Sequence, residues 1–138
     1  MRQFAGYLLT LCICTGCSSG PARPVCYPIS GKVLLNKQPI AEAQITFHPK
    51  SGEVTPLPSG FTDETGQFTI TTWATNDGAP AGEYVITISW KAQVVMGEEK
   101  VRSGRQLLAV ENTDPKRSPW KCTVKEGENP PLVFDVKK

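Results

Sequence analysis

From residue 29 onward the chain alternates between apolar and polar positions. In Ile-Ser-Gly-Lys-Val-Leu-Leu (29–35), Ile29, Gly31, Val33 and Leu35 fall on one side of an extended chain. A period of two is the signature of a half-buried strand. Asn36 to Pro39 supply turn residues. Ala43, Ile45 and Phe47 then alternate with Gln44, Thr46 and His48, and Pro49 ends that strand. Residues 60–73 predict strand, turn, strand, with the turn at Asp63–Gly66 and with Phe68, Ile70 and Thr72 on one face. Tyr84, Ile86, Ile88 and Trp90 share a side of the next strand. Two closing strands follow, Trp-Lys-Cys-Thr-Val (120–124) and Pro-Leu-Val-Phe-Asp-Val (131–136), with Leu132, Phe134 and Val136 facing inward.

Beyond residue 20 no stretch carries a convincing helical stripe. The nearest is Gly104–Asn112, which suits a helical turn or a strand. About seven short strands, separated by loops rich in Gly and Pro, predict an all-β chain folded as a β-sandwich. Gly66 is placed where a turn needs a positive φ, and Pro39 fixes the chain ahead of the second strand.

The first twenty residues follow a different pattern. Arg2 is the only charge before Arg23, an apolar run extends from Phe4 to Cys14, and the small residues Thr15 and Gly16 precede Cys17. A cationic start, a short apolar stretch and a small-residue exit make a secretory signal. The run is shorter than the roughly 20 apolar residues that span a bilayer. Cys12 and Cys14 lie inside the run, where cysteine behaves as a small hydrophobe. Cys17 follows the small residues and precedes Ser18, Ser19 and Gly20. Cys-Thr-Gly-Cys (14–17) resembles the lipobox of bacterial lipoproteins, although Cys14 stands where Leu is usual. The resemblance implies that Cys17 receives a diacylglyceryl group and becomes the new N-terminus. The alternative is an ordinary secretory signal cleaved elsewhere, such as after Gly20. Ser18 lacks the acidic character that favours inner-membrane retention, so outer-membrane placement is the expectation in a two-membrane cell.

Composition narrows the picture. The chain has 138 residues, of which 20% are charged and 39% hydrophobic, with a formal net charge of +2. About 120 residues remain after processing, enough for one domain with one core. There is no basic stripe of the kind nucleic acid requires. The densest basic region, Lys91–Arg105, is diluted by Glu98 and Glu99 and is expected to be a solvated loop. After Cys17, only Cys26 and Cys122 remain. Two thiols in an exported chain suggest one disulfide, since compartments outside the cytoplasm are oxidising.

The ordered motifs resemble carboxypeptidase-regulatory-like, transthyretin-type domains. Residues 29–47 follow their apolar-x-Gly-x-Val opening, a turn ending in Pro, then Ala-x-apolar-x-Phe. Thr-Asp-Glu-Thr-Gly-Gln-Phe (62–68) matches their hairpin, and Pro-Ala-Gly-Glu-Tyr (80–84) their following strand. Residues 107–136 are similar to the ending of many small bacterial lipoproteins of this type. The resemblance covers nearly all of Ile29–Val136. It implies a seven-stranded, Greek-key, transthyretin/prealbumin-like β-sandwich over residues 28–138, preceded by a signal peptide (1–16) and a lipidated tether (17–27). It also implies that the first strand, which Cys26 just precedes, and the penultimate strand, which carries Cys122, are parallel neighbours, so that the two cysteines would lie within bonding reach.

His48 is the only histidine, set on the outer side of a strand, and a catalytic triad would need an activated Ser or Cys beside it. One histidine also falls short of a blue-copper site. Transthyretin-related hydrolases use several histidines and end in Tyr-Arg-Gly-Ser, whereas this chain ends Phe-Asp-Val-Lys-Lys. Asp63, Glu64, Asn76 and Asp77 sit in turns, where capping explains them better than the six or more oxygens of a calcium site. Trp73 and Trp120 are candidate platforms for a sugar ring, while Trp90 shares the apolar face of Tyr84. The sequence therefore predicts a non-enzymatic, extracytoplasmic protein, lipid-anchored to the membrane, with no cofactor or resident metal. Its expected role is structural or protein-interacting, with an unknown envelope protein or glycan as partner. The alternatives are a carbohydrate-binding module and a divergent hydrolase.

Overall fold

The structure, a computed structural model, describes Gly20 and residues 22–138. Cys12, Cys14 and Cys17 lie outside the described residues. The chain is all-β, with twelve strands and one four-residue helix among the described residues. The first strands are β1 (Cys26–Tyr27), β2 (Ser30–Leu35), β3 (Gln38–Pro39) and β4 (Gln44–Pro49). Next come β5 (Ser59–Phe61), β6 (Gln67–Thr69), β7 (Ala79–Pro80) and β8 (Gly82–Ser89). After β9 (Val94–Met96) and β10 (Glu99–Val101), α1 (Val110–Thr113) precedes β11 (Lys121–Val124) and β12 (Leu132–Val136). The seven segments expected to be strands contain β2, β4, β5, β6, β8, β11 and β12. The remaining five strands are short, and two of them form an unexpected ribbon, β9–β10, inside the basic stretch expected to be loop.

Two four-stranded sheets form the body. One has the order β11-β8-β4-β5 and is antiparallel throughout. In the other, β12 lies beside β2, whose opposite edge takes both β3 and β6. The β12–β2 pair is parallel, running from Leu132↔Gly31 to Val136↔Leu35. This corrects one expectation: the parallel neighbour of the opening strand is the last strand, and the penultimate strand belongs to the other sheet.

The alternation places the core between the sheets. Val33, Leu35, Phe68, Phe134 and Val136 from one sheet meet Ile45, Phe47, Tyr84, Ile86, Ile88 and Val124 from the other in one buried cluster. Phe47 and Tyr84 pack with ring centroids 5.6 Å apart, and Phe68 stacks on Phe134 at 6.1 Å. Each such side chain contributes about 1.5–3 kcal/mol through removal from water, which makes this interface the main source of stability.

β8 sets the long axis. Its eight residues span about 25 Å. At its Gly82 end lie β7, the residues paired with it in β1, and the C-terminal end of β11, where Val124 opposes Gly82. Lys50 also joins this end, its N–H donating to the Glu83 carbonyl. At the Ser89 end the chain continues into the β9–β10 ribbon and α1. The N-terminal segment thus enters at one pole and the ribbon stands at the other.

Candidate functional site

The N-terminal segment enters against a tightly held loop and a short strand pair. Cys26 and Tyr27, which fall within the expected tether, pair with Pro80 and Ala79 as β1 and β7. Gly78 makes this pairing possible. Its φ is +87°, and a Cβ there would overlap the Tyr27 carbonyl oxygen. Only glycine combines that backbone with that approach.

The loop carrying Gly78 is held by Asp77. Its Oδ1 accepts from the Thr72 N–H (2.7 Å), and its Oδ2 accepts from the N–H groups of Trp73 (3.0 Å) and Ala74 (2.9 Å). Partial burial acts to raise the Asp77 pKa, but these backbone donors outweigh it and hold the carboxyl below its ordinary value. Thr72 donates its hydroxyl to the Gly78 carbonyl at 2.6 Å, and Asn76, at φ +59°, accepts from the Thr69 hydroxyl. Asp77 is therefore a turn cap, as its residue type suggests, while the Asn76 side chain bonds the Thr69 hydroxyl.

Trp73 is part of the same clamp. Its indole N–H donates to the Thr55 carbonyl at 3.1 Å, and the Arg23 guanidinium lies 5.9 Å from the ring centroid. The incoming chain thus covers the indole through a cation–π contact. Trp120 is half-buried. Its ring meets Phe134 edge-on at 5.3 Å and its N–H donates to Asn112 Oδ1 at 3.1 Å. Both indoles expected as sugar platforms are engaged with their own chain. Among the described residues the exposed aromatic is instead Phe61, at 63% exposure, which the alternation gave no role.

Cys26 and Cys122 are free thiols, both half-buried. Cys26 lies on β1 beside Thr72 and Asp77, while Cys122 opposes Tyr84 on the edge strand β11. The expected Cys26–Cys122 bridge is not formed. The strands that bear these residues are not neighbours: β1 pairs with β7, and β11 with β8. Burial pushes both thiols up; the Thr72 hydroxyl opposes this at Cys26 and the Asp77 charge adds to it. Both lie near Tyr84, whose hydroxyl donates to the Pro80 carbonyl at 2.7 Å. Burial first, and then the nearby thiols, push its pKa up to about 12.

His48 sits on the outer face of β4 with Nε2 2.9 Å from the Thr87 hydroxyl. Its partial burial lowers its pKa, and its bonded partner is the Thr87 side chain, with no carboxylate among its bonds. Asp63 caps its own turn: Oδ1 accepts from the Thr65 N–H and hydroxyl and from the Gln67 N–H. Gly66 in that turn has φ +77°. Among the described residues, no three His, Cys, Asp or Glu side chains gather as a metal-holding group.

At the opposite pole, the β9–β10 ribbon is tied to the body by Arg102. Its Nε donates to Glu42 Oε2 at 2.6 Å, its Nη1 to the Lys91 carbonyl at 3.0 Å, and its guanidinium lies 5.0 Å from the Trp90 ring centroid. Gln93 donates to the same Glu42 oxygen at 3.1 Å. Val95 and Met96 remain exposed near the ribbon tip. No helix among the described residues is long and apolar enough to cross a membrane.

No family model matches the sequence. No curated protein matches it either. Among solved structures, the chain is similar to the crystal structure of BcpA, the major pilin subunit of Bacillus cereus, with a TM-score of 0.50 and 16% identity. The likeness covers 83% of this chain and 31% of the pilin chain. It shows a shared β-sandwich fold, matched over about a third of the pilin's length.

Proposed function

We propose that the protein is a non-catalytic, lipid-anchored component of a bacterial envelope, with a structural or protein-interaction role outside the cytoplasm. In this reading the sandwich is of the transthyretin-like, carboxypeptidase-regulatory-like type. Cys17 carries the lipid, and outer-membrane placement is favoured by Ser18. The observation that carries the reading is the junction itself. A lipoprotein-like N-terminus leads, within nine residues of Cys17, into a segment that β7, Gly78, Asp77 and Trp73 fasten to one pole of the sandwich.

Tension on such an anchor runs first into β1 and then into β2, which is bonded on both edges by β12, β6 and β3. Pulling a central strand along its axis loads many hydrogen bonds together, whereas an edge strand would peel one bond at a time. The likeness to part of a major pilin subunit supports a surface structural role. The deciding experiment is Cys17→Ala in the full chain, expressed in a two-membrane host. The parent is expected in the membrane fraction with a diacylglyceryl mass increment, and the variant is expected to lose both. A membrane-bound parent with no lipid mass would refute the anchor.

A further inference from the structure

The outer face of the β12-β2-β6 layer carries a depression of about 550 Å³ whose walls are side chains from four different strands and a turn. Register explains how it is built. Lys32 opposes Gln67 on one side and Val133 on the other. Gln67 in turn receives the Asp63 N–H at its carbonyl, 2.8 Å away. One row therefore crosses the strands as Asp63, Gln67, Lys32, Val133. Continuing the Ser59–Thr71 bridge by two residues puts Phe61 beside Thr69, at the start of a second row. Phe61 and Val133 are 63% and 64% exposed, so an apolar patch stands at each end with polar groups between.

Three features select the ligand class. First, the rows run across the strands, and β2 in the middle is already bonded on both edges. A peptide lying here would find no free backbone ladder, so recognition must come from side chains. Second, Lys32 and Asp63 carry opposite charges in the same row, so the face offers no net field to a polyanion. Third, the Asp63 carboxylate is locked by its bonds to Thr65 and Gln67, which presents a fixed acceptor near an amide and an ammonium. A fixed acceptor with an amide and an ammonium near it, beside an exposed aromatic face, suits a molecule with hydroxyls around its edge and C–H groups on its faces.

We infer that this face is a binding site for a neutral oligosaccharide, with Phe61 as the stacking platform and Lys32, Gln67 and Asp63 as hydrogen-bonding partners. Two strand spacings make the three-strand floor about 10 Å wide before Phe61 is added, the scale of a short oligosaccharide. The site is separate from Trp73 and Trp120, and it does not depend on the lipid anchor.

The test is calorimetric titration of the full chain in detergent with chitotetraose, cellotetraose and maltotetraose. Polygalacturonate and an extended acidic peptide serve as competing arms. Saturable binding of a neutral tetrasaccharide is expected. Phe61→Ala should weaken it about tenfold, Phe61→Tyr should retain it, and Gln67→Ala should weaken it less. Val95→Ser at the far pole should change nothing. Because Phe61 is exposed, its variants are expected to keep the parent Tm, so a loss of binding would not reflect unfolding. A Cys17→Ala chain must still bind, which separates this inference from the anchoring reading. The inference is overturned if none of the three neutral sugars binds at about millimolar concentration, if Phe61→Ala binds like the parent, or if only the polyanion or the peptide binds.

Discussion

Gly78 lies directly against the carbonyl of Tyr27, in a backbone conformation that leaves no room for a side chain. This contact joins the N-terminal segment to the sandwich, since it lets β7 come close enough to pair with β1. It also explains why the first strand among the described residues, β1, lies inside the stretch expected to be a lipidated tether.

Gly78→Ala therefore meets two costs, a left-handed backbone and an overlap with Tyr27. The expected loss is about 2 kcal/mol or more of unfolding free energy. Urea denaturation measures it, and limited proteolysis should show earlier cleavage around residues 22–28. A variant as stable and as resistant as the parent would mean that β1 is not clamped.

Asp77→Ala removes the acceptor for three backbone N–H groups, at Thr72, Trp73 and Ala74. By analogy with lost caps, about 1–2 kcal/mol should go with it. The pH dependence follows from the lowered pKa. The carboxylate's contribution is present above its ordinary value of 3.8 and is lost as pH falls below that, through the lower folded value. Acid unfolding of the parent should thus be steeper than that of Asp77→Ala below about pH 4. Identical acid profiles would contradict the assignment.

Tyr84 behaves in the opposite direction. Its folded pKa is about 12 against an ordinary 10.0, so the fold favours the neutral phenol. That contribution is complete below pH 10 and is lost as pH rises from there toward 12. Tyr84→Phe should cost about 1–2 kcal/mol near neutral pH, because the buried Pro80 carbonyl loses its donor. It should also flatten the alkaline arm of the stability curve. Spectrophotometric titration that finds every tyrosine ionising near 10 in the folded protein would overturn this.

The two thiols offer a direct check on the topology. With Cys26 and Cys122 free, half-buried and raised in pKa, each should alkylate separately and slowly in the folded protein, and rapidly in denaturant. Peptide mapping after alkylation reads both positions. A cross-linked Cys26–Cys122 peptide would overturn the assignment of two free thiols.

Much of this architecture is legible in the residue pattern, and the reason is geometric. A strand between two layers must bury every second side chain, so Ile45 and Phe47, Tyr84, Ile86 and Ile88, and Phe134 and Val136 declare their inner faces directly. Local chemistry is equally readable. Asp63 and Asp77 cap turns through atoms only a few residues away, and Gly66 meets a backbone requirement of its own turn. The lipobox-like stretch ending at Cys17 is likewise a local pattern.

Tertiary structure alone decided which segments meet. The alternation of β2 is the same whether β11 or β12 lies beside it, so the distance between Cys26 and Cys122 was not encoded in any local pattern. The residues 91–105 read as a solvated loop because what orders them is remote. Arg102 reaches Glu42, sixty residues away, and stacks on Trp90. Trp73 looks like a free indole until Arg23 is brought over it from fifty residues upstream. Phe61 lies on the outer side of β5, opposite exposed Gln44, while its neighbour Thr62 is buried, and only the pairing of β5 shows which groups surround it. Periodicity records which side of a strand is buried; pairing between strands, which closes long loops for contacts made far away in sequence, determines what each exposed side chain stands next to.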